Sequence, residues 1–128
     1  INAEYGIISL QLLQDAILKL IMNKSGLTQR DIDSAKDGEV KKGCLILTEE
    51  EYQKEAFKER KDFKFLIAKN LKTVSSELFF WSSLQFAFMP EVESIADSAF
   101  QFCPLTAVCF LKVKSVENCA FHGCKELI

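Results

Sequence analysis

The chain has 128 residues, 48% of them hydrophobic, and a formal net charge of −2. This length supports one compact unit with its own buried core, and the hydrophobic share excludes a disordered chain. A net charge this close to zero gives no broad field that would attract nucleic acid, so we do not expect nucleic acid as a partner. The chain has 11 Phe against 1 Trp and 2 Tyr, a balance that favours apolar packed layers.

The cysteine content bears on the compartment. The chain contains Cys44, Cys103, Cys109, Cys119 and Cys124. A disulfide framework in so short a chain normally uses an even number of cysteines, so we expect mostly free thiols in a reducing, cytoplasmic compartment. Because the chain begins at Ile1 rather than Met, a trimmed signal peptide with a cell-surface or secreted location is the alternative.

Residues 7–22 carry the strongest helical pattern. Apolar residues recur there at spacings of three and four, at Leu10, Leu13, Ile17, Leu20 and Ile21. The stretch is too short and too interrupted to cross a bilayer, which takes about 20 apolar residues, so we expect no transmembrane segment. It predicts a packed N-terminal cap helix, with a membrane-surface or oligomerising helix as the alternative.

Shorter signals complete a helical cap region over residues 1–43. Gly26 predicts the C-cap of the first helix, and Thr28, with Asp31 three residues later, predicts the start of a short second helix. Asp37 and Gly38 together predict a turn.

Residues 44–60 change character. The apolar run at residues 44–47, CLIL, predicts a strand. Thr48 with Glu51 three residues later has the form of a capping box, which predicts a helix from about 49 to 60.

A period of about 21 residues organises the rest of the chain. Phenylalanines recur at spacings of 22, 21 and 21, at Phe57, Phe79, Phe100 and Phe121. Three further rows keep this register: Leu71, Val92 and Val113; Val74, Ile95 and Val116; Ile67, Phe88 and Cys109. A fixed period of this kind predicts an α/β solenoid with one short parallel sheet, built from about four degenerate repeats over residues 44–128.

The last two repeats carry a motif of the form A-F-x-x-C-x-x-L. Residues 120–127 read AFHGCKEL, and residues 98–105 read SAFQFCPL, with one residue fewer between Cys and Leu. Ser82 replaces the cysteine in a weaker copy that Phe79 opens. The motif resembles the BspA-like leucine-rich repeats over residues 44–128. The resemblance implies a leucine-rich-repeat-like solenoid that binds a protein or another ligand and is not an enzyme.

The resemblance also suggests a different setting for the chain. BspA-like repeats occur in bacterial surface proteins and in protist proteins, so a fragment of a surface adhesin is an alternative. The array reaches Ile128 in mid-repeat without a polar cap. Because terminal repeats need capping, we expect either that the chain is a fragment or that this end meets a partner.

In the register of that family, both faces of the strands are apolar. The core side would carry Leu45, Leu47, Leu66, Ala68, Ala87, Met89, Val108 and Phe110. The outward side would carry Cys44, Ile46, Phe65, Ile67, Phe86, Phe88, Ala107 and Cys109. An open face of this kind is larger than soluble monomers keep, so we expect the N-terminal helix, a second copy or a partner to cover it.

The outward strand row is the predicted docking surface of a non-enzymatic protein-interaction module. Its central residues are Phe65, Ile67, Phe86, Phe88 and Cys109, and its edge residues are Lys64, Gln85 and Thr106. The expected partner is another protein. A homodimer through this face or through the N-terminal helix is the alternative.

The stretch from Lys54 to Lys72 is rich in positive charge. Its candidate basic patch consists of Lys58, Arg60, Lys61, Lys64, Lys69 and Lys72. A small inhibitor or nucleoprotein-binding protein acting through this patch is an alternative function, although such runs are more often a solvated face.

Cysteine and histidine side chains near the end of the chain suggest a metal site. They are Cys103, Cys119, His122 and Cys124. Structural zinc sites usually use paired cysteine knuckles, and Cys103 and Cys124 are already explained as repeat positions. The sequence also lacks a glycine-rich phosphate loop and a Ser-His-Asp set. We therefore expect no metal, no cofactor and no catalytic residue.

Overall fold

The computed structural model describes residues 2–127, and within them the side chains of residues 14–108 and 110–127. Two helices come first, α1 (Asn2–Ser25) and α2 (Gln29–Ser34). The strands that follow are β1 (Glu39–Lys41), β2 (Cys44–Leu47), β3 (Phe65–Ala68), β4 (Thr73–Val74), β5 (Phe86–Phe88), β6 (Ser94–Ile95), β7 (Ala107–Cys109) and β8 (Ser115–Val116).

The larger sheet has the strand order β1-β2-β3-β5-β7. From β2 onward its strands are parallel, and Cys44 pairs with Phe65, Phe65 with Phe86, and Phe86 with Ala107. Each step along the sheet is therefore 21 residues along the chain. This register confirms the predicted period and the solenoid of parallel strands.

The prediction of a single sheet is incomplete. A second parallel sheet joins the two-residue strands β4, β6 and β8, with Val74 paired to Ile95 and Ile95 to Val116. In addition, β1 pairs antiparallel with β2 inside the region that we expected to be only helical. Glycine and lysine at the hairpin turn both have positive φ, 77° at Gly43 and 51° at Lys42, which lets two short strands reverse direction there.

The main core lies inside the solenoid. It contains the predicted inward strand residues Leu45, Leu47, Leu66, Ala68, Ala87 and Met89, with Val108 and Phe110 packed against it. The recurring phenylalanines form a stack of nearly parallel rings, with centroid distances of 5.7 Å for Phe57–Phe79, 5.4 Å for Phe79–Phe100 and 5.3 Å for Phe100–Phe121. Stacked rings at these distances add about 0.5–1.5 kcal/mol per pair beyond the area that they bury.

The predicted helix over residues 49–60 is wrong, because this segment forms turns. Glu55 and Glu59 have φ values of 63° and 61°, which lie outside a right-handed helix. The N–H groups of Glu55, Phe57 and Glu59 donate to carbonyl oxygens of the following repeat at 2.8–3.1 Å. Since these donors pair across repeats, they do not form helical bonds, and the stacking of the solenoid overrides the local capping signal.

The predicted C-cap of α1 and the predicted start of α2 are confirmed. Gly26 has a φ of 78°, and its N–H donates to the carbonyl oxygen of Met22 at 2.9 Å. The Thr28 hydroxyl accepts from the Asp31 N–H at 3.1 Å, while the Asp31 carboxylate accepts from the Thr28 N–H at 3.0 Å. These hydrogen bonds, together with Lys42 at 3.1 Å, lower the pKa of Asp31 to about 2.

The face of α1 that contacts the sheet is rotated about the helix axis relative to the predicted face. Ile17 and Ile21 are buried, but Leu20 is 37% exposed, and the side chains of Leu10 and Leu13 lie outside the described residues. Leu18 and Met22, on the other flank of the same face, pack partly against the sheet in place of Leu20. Within the described residues, neither helix combines the length and apolar character that crossing a bilayer requires.

Candidate functional site

Helix α1 covers the strand row that we predicted as the docking surface. Ile17 and Ile21 of the helix share a core cluster with all four described members of the row, Phe65, Ile67, Phe86 and Phe88. Each of these four side chains is at most 9% exposed. Of the three covers expected for this face, the chain itself supplies the helical one.

This arrangement buries most of the predicted docking surface beneath α1. Phe65, Ile67, Phe86 and Phe88 are core residues, and the side chain of Cys109 lies outside the described part of the chain. The edge residues remain reachable, since Lys64 is exposed and Gln85 and Thr106 are half-buried. Binding of a partner or of a second copy at the row stays a prediction, and it would require α1 to move away.

The predicted basic patch is divided among separate contacts. Lys58 pairs with Glu55 at 3.0 Å and with Glu77 at 3.2 Å, and both hydrogen bonds raise the pKa of Lys58. Two further members are also paired, Arg60 with Asp62 at 2.5 Å and Lys72 with Glu50 at 3.0 Å. Lys64 and Lys69 are exposed. The patch is therefore partly neutralised by neighbouring carboxylates.

The remaining member, Lys61, leads to a different surface. Its ammonium group donates to the carbonyl oxygen of Trp81 and lies 5.2 Å from the centre of the Trp81 ring system. Lys58 lies 5.1 Å from the ring centre of the neighbouring Phe80. Both lysines thus border a group of aromatic side chains on the turns of the solenoid.

We call this group the aromatic ridge, and it consists of Phe80, Trp81, Phe102 and His122. Phe80 and Phe102 meet edge to face with centroids 5.7 Å apart, and Phe102 and His122 do so at 5.6 Å. Trp81 is 53% exposed and Phe102 is 45% exposed. The ridge is therefore an aromatic surface that runs along the solenoid on the turn side.

Two ridge residues occupy a backbone position that favours glycine. Glu59, Trp81, Phe102 and Gly123 stand at the same place in successive turns, with φ values of 61°, 52°, 63° and 77°. A left-handed residue with a side chain is strained, and a bulky one is rare. The last turn uses glycine, so the fold is compatible with glycine at this place and does not itself require an aromatic side chain.

Gly123 also makes room for the ridge. A Cβ atom at Gly123 would stand 2.3 Å from Cδ1 and 2.8 Å from Cε1 of Phe102. These distances are below any real carbon–carbon contact, so the Phe102 ring lies directly on the glycine backbone. The absence of a side chain at Gly123 allows the Phe102 ring to lie there.

A cleft opens along the ridge, with a volume of about 590 Å³. It is lined by Lys58, Glu59, Phe80, Trp81, Phe102, Gly123 and Lys125. A volume of this size falls in the range of ligand-binding clefts, and the mixture of aromatic walls with a few charged groups is typical of them.

The reasoning from sequence missed this ridge, although a signal was present. Counting back by the repeat spacing from Gly123 reaches Phe102, Trp81 and Glu59. Where one copy has glycine, the backbone of the turn favours a positive φ. An aromatic residue at the same place in another copy therefore adopts this φ despite its side chain. The apolar rows that define the repeat do not include these turn residues.

Two of the four residues suggested as metal ligands, Cys103 and Cys124, bond to backbone carbonyl groups. The Cys103 thiol donates to the Phe79 carbonyl oxygen at 2.8 Å, and the Cys124 thiol donates to that of Phe100 at 3.0 Å. Burial raises the pKa of both thiols, that of Cys124 to about 11. Among the described residues, no group of three or more His, Cys, Asp or Glu side chains is placed to hold a metal ion.

The comparison with protein families agrees with this geometry. Residues 48–128, well over half of the chain, match the model of the BspA type leucine-rich repeat region, which spans six repeat copies. The chain belongs to the BspA-type leucine-rich repeat family. Searches of curated proteins and of solved structures find no match.

Membership in this family explains the shared parts of the array. The phenylalanine stack and the Cys103 and Cys124 thiols recur at the repeat spacing within the matched residues. By contrast, the place of Trp81 and Phe102 carries a different residue in each turn of this chain, with Glu59 before them and Gly123 after them. The division into a cap and an array at residue 44 stays a prediction. Repeat proteins of this type commonly act in protein interaction or at surfaces.

Proposed function

We propose that the chain is a non-enzymatic protein-interaction module that binds its partner through the aromatic ridge. The observation that carries this proposal is the exposure of Trp81 and Phe102, 53% and 45%, in strained left-handed backbone. Tryptophan is among the residues most enriched in the energetic centres of protein interfaces.

Stability does not account for these two side chains. A residue with a Cβ atom in left-handed conformation costs roughly 1–2 kcal/mol relative to glycine. An aromatic ring that remains about half exposed recovers only part of its burial energy. Strained residues that persist at a surface are a reason to look for function there.

The ridge is also held in place before any partner arrives. Phe102 lies on Gly123 and contacts Phe80 and His122, while Lys61 bonds to the Trp81 backbone and covers one face of its ring. Rings that are already ordered lose little conformational entropy on binding. This arrangement supports binding by a rigid surface.

Other functions have less support. Lys58, Arg60 and Lys72 of the basic patch are engaged with carboxylates, which weakens a binding mode based on that patch alone. An adhesin fragment would use the same kind of interaction surface, and cytoplasmic and cell-surface locations stay predictions.

A peptide-display selection tests the proposal. Peptides selected on the wild-type chain are measured against the double variant Trp81→Gly, Phe102→Gly, in which both left-handed positions carry the residue found at Gly123. We expect the variant to stay folded and to lose affinity by about tenfold or more for most peptides, equivalent to about 1.4 kcal/mol. Because Trp81 is the 1 Trp of the chain, its emission should change when these peptides bind.

Leu20→Ala is the matched control, since Leu20 is an apolar side chain that is 37% exposed and lies on α1, away from the ridge. It should leave peptide affinity unchanged. Peptides that bind the double variant as tightly as the wild-type chain would show that the ridge is not the interaction surface.

A further inference from the structure

Building on the proposed function, we propose that the ridge recognises an acidic segment of a partner protein that carries one large apolar side chain. The apolar side chain would enter the cleft between Trp81 and Phe102. Carboxylates on either side of it would reach Lys61 and Lys125.

The apolar part of the inference rests on the shape of the cleft. Its aromatic walls are Phe80, Trp81 and Phe102, and Gly123 contributes backbone without a side chain. A volume of about 590 Å³ holds more than one large side chain, so one can enter with part of its backbone. A large apolar side chain buried in a cleft of this kind is commonly the residue that contributes most to the binding energy of an interface.

The acidic part rests on the charges around the cleft. Lys58 and Lys125 line it, and the Lys61 ammonium group lies 5.2 Å from the centre of the Trp81 ring system. Lys58 is already compensated by Glu55 and Glu77, whereas Lys61 and Lys125 make no salt bridge within the described part of the chain. Two lysines without an ion pair beside an apolar cleft favour a partner that carries carboxylates next to the bound side chain.

A protein segment fits better than single-stranded nucleic acid, although aromatic rings beside lysines also occur in strand-binding proteins. Glu59 lines the cleft, and Glu55 and Glu77 neutralise Lys58, so the positive charge is not continuous along the ridge. A phosphate backbone would bring one negative charge per nucleotide past these carboxylates. A peptide, in contrast, can carry carboxylates near the lysines and uncharged residues near Glu59.

The test uses four synthetic peptides of equal length. The first has a central leucine between Asp and Glu residues, the second has lysines in place of the acids, the third has serines there, and the fourth is acidic with a central alanine. Binding is followed by Trp81 emission and by anisotropy of a peptide label. We expect the first peptide to bind at least about tenfold more tightly than each of the others, and more weakly as salt is raised.

Charge variants of the protein separate the two parts of the inference. Lys61→Gln with Lys125→Gln should reduce the affinity for the acidic leucine peptide to that for the serine peptide. Lys64→Gln with Lys69→Gln is the matched control, because it removes the same charge from two exposed lysines that do not line the cleft. The control should retain the preference for the acidic peptide.

Each outcome decides something. If the lysine or serine peptide binds as tightly as the acidic one and still requires Trp81, the acidic partner is excluded and the ridge remains the interaction surface. A single-stranded oligonucleotide that binds at Trp81 and displaces the acidic peptide would replace the protein partner by nucleic acid. Failure of the acidic leucine peptide to bind overturns this inference, whereas loss of the displayed-library binders on the ridge variant would still uphold the proposed function.

Discussion

Aromatic residues lie on two sides of the solenoid, and the two groups differ in burial. On the strand side, Phe65 and Phe86 stack at 5.8 Å and are covered by α1. On the turn side, Trp81 and Phe102 stand in solvent with no element of the described chain above them. An apolar row in the sequence therefore does not by itself mark a binding surface. It marks a surface that needs a cover, and within the described residues α1 provides that cover on the strand side.

The backbone separates the two sides as clearly as burial does. Phe65 and Phe86 begin β3 and β5, where extended backbone accommodates aromatic side chains without strain. Trp81 and Phe102 have φ values of 52° and 63°. The strand-side rings contribute to stability without backbone strain, whereas the left-handed backbone of the turn-side residues opposes it locally.

Cation–π contacts do not distinguish the two sides. Lys24 of α1 lies 5.4 Å from the Phe86 ring centre, and Lys61 lies 5.2 Å from that of Trp81. Such contacts contribute about 0.5–1 kcal/mol where they are exposed. The difference between the two sides therefore comes from burial and backbone conformation, and substitutions can test both.

The largest effect is expected on the strand side. Phe86→Ala removes a ring that is 9% exposed and contacts both Phe65 and α1, and it should lower the free energy of unfolding by about 3–5 kcal/mol. Urea denaturation measures this loss. Gln85→Ala, at the half-buried neighbouring residue, should change stability by less than about 0.5 kcal/mol. A loss below about 1 kcal/mol for Phe86→Ala would mean that the row is not part of a packed core.

The cover can be tested from the helix. Ile21→Ala should lower the free energy of unfolding by about 2–5 kcal/mol, because Ile21 is 0% exposed against the strand row. Leu20→Ala changes a neighbouring apolar residue that is 37% exposed, and its effect should be several times smaller. Equal losses in the two variants, measured by thermal and urea unfolding, would place the contact face of α1 elsewhere.

The sequence predicted the fold to a large extent because stacking in a solenoid imposes a period that apolar rows reveal. Cys44, Phe65 and Phe86 were assigned to the same row and do pair in that register. The turns after β2 were mispredicted as a helix, since the hydrogen bonds of Phe57 and its neighbours go to the next repeat. A local capping signal carries no information about such long-range bonds.

The site was predicted less well, for two physical reasons. The strand pattern showed that Phe86 and its neighbours needed a cover, but an amphipathic helix can cover its own chain or meet another chain with the same residues. The ridge depends on the sign of φ at Trp81 and Phe102. The glycine at position 123 is the only residue type in this series that indicates a positive φ. The sequence reveals the positive φ of Trp81 and Phe102 only when these residues are aligned with Gly123.

Gly123→Ala should show how firmly the turn-side ridge is seated. The new Cβ would stand 2.3 Å from Phe102, so the ring must leave its contacts with Phe80 and His122, and overpacking of this kind costs about 1–3 kcal/mol. Gly26→Ala is the control, because Gly26 has a similar φ of 78° with no atom within 4 Å of a Cβ. It should cost only the backbone strain, about 1 kcal/mol. Equal losses would show that Phe102 does not depend on the glycine.

The smallest effect bears most directly on the comparison. Trp81→Gly relieves a left-handed position, so it should be more stable than Trp81→Ala by about 1 kcal/mol, since alanine keeps the strain and both variants lose the ring. Both variants lose the contact of Lys61 with the ring and keep the backbone carbonyl to which Lys61 donates, so neither contact affects the difference between them. At Phe86, in extended backbone, the order should reverse, because glycine there only adds flexibility to a strand. If Trp81→Ala is as stable as Trp81→Gly, the turn is unstrained. The exposure of Trp81 and Phe102 would then be the only argument for a function of the ridge.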